Sequence, residues 1–322
     1  MPVLVARRLV QLVPLLLAVS ALTFALLHMR PDAVTMWLAD DPTVSQATID
    51  HMRHAFGLDR PVWLQYLLYV RNVVLHGDLG TSFTYHAPVA GLIVERLGNT
   101  LLLAIAAMCV TWLLAIPIGV IAAVRRHTWV DRLLSVGAFA TLSVPEVVAG
   151  LVLLWAAART GWFPIGGMHA LDAASLPWGA RALDLLRHLV LPATVVGLVP
   201  LASRMRQMRS SLLEVLRLDY VTAARARGLG EGSVIVRHAL RNALNPMITL
   251  FGLSLGSIVS GAFIAEVLFN WPGLGTLTVE AIQRQDPYLV LGAVEMAAVV
   301  LVLGNLAADL MLAASDPRIR HA

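Results

Sequence analysis

Long apolar runs separated by short polar, arginine-bearing segments dominate the chain. Crossing a hydrocarbon core of ~30 Å takes about 20 mostly apolar residues in a helix, because lipid offers no partner to an unpaired backbone group. Six stretches meet that length, at 9–29, 100–124, 133–158, 185–203, 247–265 and 288–312. The second carries no charge and the third only Glu146; the fourth becomes fully apolar only after Arg187 and His188. None shows the residue-by-residue alternation of a barrel strand. The pattern therefore predicts an all-α, polytopic membrane protein with six transmembrane helices. The first run follows Arg7-Arg8 and exceeds a 7–15-residue signal-peptide core, so it is expected to stay as a membrane helix.

Composition points the same way. Of 322 residues, 58% are hydrophobic and 14% charged, with mean hydropathy +0.75; soluble domains hold about 45–50% and 25%. All 24 basic residues are arginine. A phosphate-binding P-loop ends in Gly-Lys-Ser/Thr, so a chain without lysine must leave any ATP chemistry to another polypeptide. The single cysteine, Cys109, excludes an internal disulfide or cysteine cluster and reads as a small packing residue. The ten histidines are scattered without a His-Glu-x-x-His pair, so no metal is expected, and no nucleic-acid partner either.

Arginine placement sets the orientation. With the N-terminus inside, fifteen arginines fall at cytoplasmic positions and four (Arg159, Arg181, Arg187 and Arg284) in short external loops. The 30–99 loop adds five, but loops beyond about 60 residues count little in the positive-inside rule. Both termini are expected in the cytoplasm. The organisation follows: a transmembrane helix at 1–29, an external region at 30–99, a five-helix core at 100–314 that includes an internal loop at 204–246, and a cytoplasmic tail at 315–322.

The internal loop is the most polar part of the chain. Asp219 through Gly230, then Val236 through Pro246, read as two short helices around a glycine turn. Asp219 is a plausible N-cap, the alanine run a strong helix former, and Gly228 or Gly230 the left-handed residue that ends the first helix. Ala223, Ala224 and Ala226 suggest a small, flat face flanked by Tyr220, Arg225 and Arg227, suited to docking in a partner's groove. A loop whose arginines merely set topology explains the same residues equally well.

Ala223-Ala224-x3-Gly228, followed by Arg237-His238-x-Leu240-Arg241-Asn242-Ala243-Leu244-x-Pro246, resembles the "EAA" loop of binding-protein-dependent ABC importer permeases. Thr222 stands where the general motif has Glu, as is common in the peptide/nickel branch. Leu58-Asp59-x-Pro61 with Gln65-Tyr66, Gly77-Asp78-Leu79-Gly80-Thr81-Ser82, Gly161-Trp162-Phe163-Pro164, Leu191-Pro192, Glu266-x4-Trp271-Pro272-Gly273-Leu274-Gly275 and Asp316-Pro317-Arg318-Ile319-Arg320 are similar, in this order, to dipeptide and oligopeptide permeases. Pro31-Asp32-Ala33 departs from the family's Pro-Gly-Asp-Pro-like turn.

The resemblance implies a type I ABC importer permease fold with a cytoplasmic coupling helix, in the bacterial inner membrane. It implies a second, homologous permease chain in a heterodimer, two ATPase subunits that carry ATP and Mg, and an extracytoplasmic substrate-binding protein. Coupling to the ATPases would fall to Tyr220, Ala223, Ala224, Arg225, Arg227, Gly228, Arg237 and Pro246. Asp78, Trp271 and Gly273 are candidates for contact with the binding protein. The chain itself would hold no cofactor and do no bond chemistry, moving small peptides, nickel or related solutes by alternating access.

Three carboxylates lie within expected spans, where charge defaults to function. Glu295 is the best pathway-lining candidate, Glu146 follows Pro145, and Asp309 lies near the cytoplasmic end. A stand-alone proton-coupled carrier built on Glu146 and Glu295 is the alternative. Gly252-x-Ser254-x-Gly256 matches a hydrolase nucleophile elbow, but that motif needs a strand-turn-helix setting, and here it reads as helix packing.

Overall fold

A computed structural model describes residues 2–29, 47, 54 and 59–315. The Pro31-Asp32-Ala33 turn, Leu58 and the tail from Asp316 lie outside the described residues. The described chain is helical almost throughout: α1 (Pro2–His28), α2 (Val62–His76), α3 (Val89–Val124), α4 (Trp129–Ser143), α5 (Glu146–Thr160), α6 (Trp178–Val215), α7 (Asp219–Ala226), α8 (Glu231–Ser233), a π-helical run Val234–Ala239, α9 (Leu240–Ala243), α10 (Asn245–Leu268), α11 (Leu274–Gln283) and α12 (Pro287–Ser315). Among the described residues, four helices (α1, α3, α6 and α12) are long and apolar enough to cross a membrane, or five if α4 and α5 form one broken span. The 24-residue α10 occupies the fifth expected span and carries no charge before Glu266.

Three expectations change. The third span, expected as one helix over 133–158, is two 15-residue helices bent by 104°. Proline disfavours helical backbone in the residue before it and has no N–H to continue the ladder. Val144 is accordingly extended (φ −96°, ψ 119°), and the Pro145 carbonyl accepts from the Ala149 N–H at 3.0 Å to start α5. The second change concerns the internal loop, which begins later than Arg204. α6 runs unbroken through Pro192 and Pro200 to Val215, 38 residues or about 57 Å of helix. Arg204, Arg206 and Arg209 therefore sit on a spanning helix. Cys109, expected in packing, is exposed on α3.

The chain divides into two compact units, Thr100–Pro272 with the end of α12, and Pro2–Asn99 with Gly273–Val302. In the first, α6 is the central element. Small residues let neighbouring backbones come close to it. A Cβ on Gly197 would meet the Ala107 carbonyl at 2.8 Å, and one on Gly119 the Met205 carbonyl at 2.7 Å. Close approach through small residues is how spanning helices pack where lipid provides no hydrophobic drive. Asp131, at the start of α4, takes a forked pair of bonds from Arg209 of α6 (Nε to Oδ1 2.9 Å, Nη2 to Oδ2 2.8 Å) and one from the His127 N–H at 3.0 Å.

In the second unit, α2 lies against α1 through Tyr66, whose hydroxyl meets Ser20 at 2.9 Å and donates to the Leu17 carbonyl at 3.0 Å. Val89 and Ile93 pack with Leu274, Leu277, Ala281 and Leu289. The segment around Ser82 is clasped to the start of α12 by Asp286. That fully buried carboxylate accepts from the Ser82 hydroxyl at 2.5 Å and from the Thr84 and Leu289 N–H groups at 3.0 and 3.1 Å.

Candidate functional site

The hairpin from Asp219 to Ala243 follows from its sequence with one shift of register. Leu218, extended at φ −75° and ψ 148°, is the N-cap, so Asp219 is the first helical residue rather than the cap. A carboxylate in the first turn still complements the positive end of the helix. α7 stops where Gly228 takes φ +78°, a left-handed value that strains any residue with a Cβ. Gly230 is extended (φ −60°, ψ 142°) and starts α8, so the turn depends on Gly228 alone.

The alanines do not form one face. Ala224 is buried with Val221 against Met208, Leu212, Val234, Ala239, Ala243 and Met247, all in the first unit. Ala223 and Ala226 are exposed on the other side, with Thr222 and Arg227. Val221 and Ala224 are three residues apart, so they share a helix face while Ala223 and Ala226 share the opposite one. The flat alanine face expected from the sequence is thus half anchor and half outer surface.

Two residues expected at a partner are engaged within the chain. Tyr220 accepts from the Asn242 side-chain amide at 2.7 Å and donates to the His238 carbonyl at 3.4 Å. Arg225 grips Glu231 with two parallel bonds across the glycine turn, one from Nε at 3.0 Å. The bonds from Arg225 hold the Glu231 carboxyl below the usual carboxylate range and stabilise the charged guanidinium in return. Arg227, Arg237, Gly228 and Pro246 are exposed. So are three apolar residues that the sequence reading passed over, Leu218, Leu229 and Val236. Their signal was available: large aliphatic side chains in the most polar segment, with no spanning role. Together these residues give the hairpin an outer surface of apolar side chains bordered by arginines, on a scaffold pinned from within.

The three candidates for contact with a binding protein separate by burial. Asp78 is exposed, and its Oδ1 accepts from the Gly80 N–H at 2.8 Å. Trp271 is 0% exposed, packed with Phe269, Ala157 and Leu189 in the first unit. Gly273 is buried as well, the N-cap of α11, with its N–H donating to Thr276 Oγ1 at 3.1 Å. Trp271 and Gly273 are core residues, so they shape the turn and do not present a contact surface. The sequence could not separate these roles, because an aromatic beside proline and glycine looks alike at a surface turn and a buried one.

Among the intramembrane carboxylates, Glu146 begins α5 at the 104° break and has one buried oxygen without a hydrogen-bond partner. Glu295 faces the buried Tyr69 hydroxyl in the second unit, beyond direct hydrogen-bond geometry. Ser254 lies inside α10, donating to the Leu250 carbonyl at 2.8 Å and accepting from Arg204 at 3.1 Å. A serine within a helix and so engaged is not a nucleophile at a strand-to-helix turn. Among the described residues no group of three His, Cys, Asp or Glu side chains could hold a metal.

These spans and this hairpin define a helical, multi-pass membrane protein. Residues 115–321 match the family of binding-protein-dependent transport system inner membrane components, and residues 1–104 match that family's N-terminal region; the chain belongs to this family. It is 37% identical over 320 residues to the oligopeptide transport system permease protein AppB of Bacillus subtilis, covering 98% of this chain and 99% of that one. It is 37% identical over 334 residues to the dipeptide transport system permease protein DppB of Escherichia coli, covering 98% of each. The same identity over 332 residues relates it to the di/tripeptide permease protein DppB of Pseudomonas aeruginosa, again over 98% of each chain. A chain of the MetNI methionine ABC transporter, solved in inward-facing conformations, has a similar fold, with TM-score 0.53 and 17% identity over 70% of this chain and 97% of that one. The expected ABC importer permease fold is the fold found.

Proposed function

We propose that this chain is a permease subunit of an ATP-driven importer of small peptides and that the Asp219–Ala243 hairpin is its coupling element. The observation that carries the reading is the hairpin's two-sidedness: Val221 and Ala224 lock it to the chain's own core while Ala223, Ala226, Arg227 and Leu229 face outward. A lever must be rigid toward the body it moves and complementary to the body that moves it. Two ATPase subunits, carrying ATP and Mg, would seat the coupling hairpins of this chain and of a second, homologous permease. A substrate-binding protein would dock on the external region, in which Asp78 is exposed. With both termini cytoplasmic, rigid-body closure of the ATPases would reach the spanning helices through α7 and switch access from one side to the other. Peptide cargo is supported by the near full-length likeness to relatives named for peptide transport. A stand-alone proton-coupled carrier would leave the pinned hairpin without a task.

The test is affinity purification of the tagged chain in mild detergent, with mass spectrometry of the proteins and small molecules retained. Recovery of a second permease, ATPase subunits and a peptide-loaded binding protein is expected. Recovery of the chain alone through several detergents would overturn the reading.

A further inference from the structure

We propose that Arg204 and Trp112 form a carboxylate site inside the membrane, taking the C-terminal carboxylate of the peptide in transit; the proposal rests on the peptide-importer reading above. Three helices of the first unit build it. Arg204 of α6 stands with its guanidinium carbon 5.9 Å from the ring centroid of Trp112 on α3. Its Nη2 donates to Ser254 of α10 at 3.1 Å, and Phe251 of α10 meets the Trp112 ring edge-on at 5.4 Å between centroids.

The depth is what makes this arginine unusual. Trp112 precedes the end of α3 at Val124 by about three turns, and Ser254 follows the start of α10 at Asn245 by about two and a half. Arg204 therefore works roughly 13–18 Å inside the ends of these helices. A charge at such depth is expensive, so it faces a partner or a water-filled path. Among the described residues no carboxylate pairs with it.

The polar atoms around it are out of balance in one direction. The Arg204 Nε–H and the Trp112 indole N–H are both sealed from solvent and both without an acceptor. Trp112 is 8% exposed, so its orphan donor lies well within the protein. The Ser254 hydroxyl gives its own hydrogen to the Leu250 carbonyl, so it offers Arg204 a lone pair but no charge. Arginine and indole are donors only. One positive charge beside two N–H groups without acceptors is satisfied by a compact anion with several lone pairs, and a carboxylate matches the planar guanidinium fork. The indole face steadies the cation while the site is empty. A lipid phosphate would have to leave the headgroup layer to reach this depth. A peptide crossing between the helices brings its carboxylate there as part of transport.

The experiment uses the whole importer in proteoliposomes, with its own binding protein, and compares uptake of Ala-Ala with uptake of Ala-Ala amide. The ratio is read for the wild type, Arg204→Gln, Arg204→Lys and Trp112→Phe. Because the same binding protein serves every arm, its own preference cancels. Arg204→Gln is expected to lower the acid-to-amide ratio by about ten- to a hundredfold, the loss of a charge-assisted hydrogen bond. Arg204→Lys, which keeps the charge but loses the planar fork, should restore only part of the ratio, and Trp112→Phe, which keeps the ring and removes the N–H, should lower it severalfold. An unchanged ratio in Arg204→Gln overturns the site. Should Arg204→Gln fail to assemble, an unchanged ratio in Trp112→Phe overturns it instead. Wild-type complex that takes up neither peptide overturns the peptide reading itself, and the site with it.

Discussion

The side-chain amide of Asn242 donates to the hydroxyl of Tyr220 at 2.7 Å, joining the first helix of the hairpin to the last residues before the spanning helix α10. Both residues were legible as parts of a motif, yet neither was legible as half of a bond. The bond forms because the glycine turn folds α7 back along the π-helical run, so residues far apart in sequence share one side of the hairpin. The bond ties α7 to α9, the short helix that leads into α10, in addition to the packing between them.

Removing that link without removing the ring tests its role. Tyr220→Phe deletes the bond from Asn242 together with the longer one to the His238 carbonyl, each about 0.5–1.5 kcal/mol at most at an exposed position. The chain should fold and the complex assemble as before. The backbone of residues 219–226 should exchange hydrogen faster, and ATP hydrolysed per peptide imported should rise severalfold. Hydrogen-exchange mass spectrometry on the assembled importer reads the first effect; unchanged protection there would mean that packing alone holds the hairpin.

Ala223 and Ala224 are neighbours with opposite environments, and they should respond oppositely to the same change. Ala224→Leu forces a large side chain into a core where Ala224 is 1% exposed, at a cost of about 1–3 kcal/mol. The thermal midpoint of the isolated subunit in detergent should fall. Ala223→Leu adds bulk on the outer surface, so the midpoint should hold while capture of the ATPase subunits drops at least tenfold. A drop in midpoint for Ala223→Leu with ATPase capture intact would reverse the assignment of the two faces.

Arg225 and Glu231 should give the hairpin a weak acid sensitivity. Glu231 is held below its ordinary value of 4.5 by the bonds from Arg225. A lowered carboxylate pKa stabilises the fold above the unfolded value and loses that contribution as pH falls through the folded value. The window therefore opens below about pH 4.5, and neutral conditions keep the full effect. Both side chains are substantially exposed, so solvent screening limits the pair to about 0.2–1 kcal/mol. The difference in thermal midpoint between wild type and Glu231→Gln should be small at pH 7, smaller in high salt, and should shrink as pH falls below 4.5. A difference that grows on acidification would show that Glu231 is stabilised in its protonated form.

What the sequence revealed and what it hid divide along a physical line. Spans were legible because hydropathy over 20 residues is a bulk property, and the end of α7 because only a residue such as Gly228 accepts φ +78° cheaply. The break at Pro145 was visible as a proline but not as a bend, since spanning helices often absorb proline, as α6 does at Pro192 and Pro200. The Arg209–Asp131 fork and the placement of Arg204 beside Trp112 were not legible at all. Both depend on which helices become neighbours, a question that local pattern does not answer.

Asp78 and Asp286 make the last comparison, since both belong to the second unit and only one is available to a partner. Asp286 is fully buried and receives three hydrogen bonds, so Asp286→Asn replaces an acceptor-only group with one that turns an N–H toward donors. Its cost should be about 1–3 kcal/mol, seen as a lower thermal midpoint and a loosened Ser82 segment. Asp78 accepts one bond, from Gly80 within its own turn, and is otherwise open to solvent. Asp78→Ala should leave the midpoint within measurement error and weaken docking of the binding protein, with a salt dependence that the variant lacks if Asp78 pairs with a basic side chain there. Binding-protein affinity measured on the intact importer in nanodiscs, at low and high salt, separates the two. Equal affinity for wild type and Asp78→Ala at low salt would remove Asp78 from the docking surface and leave it a turn residue.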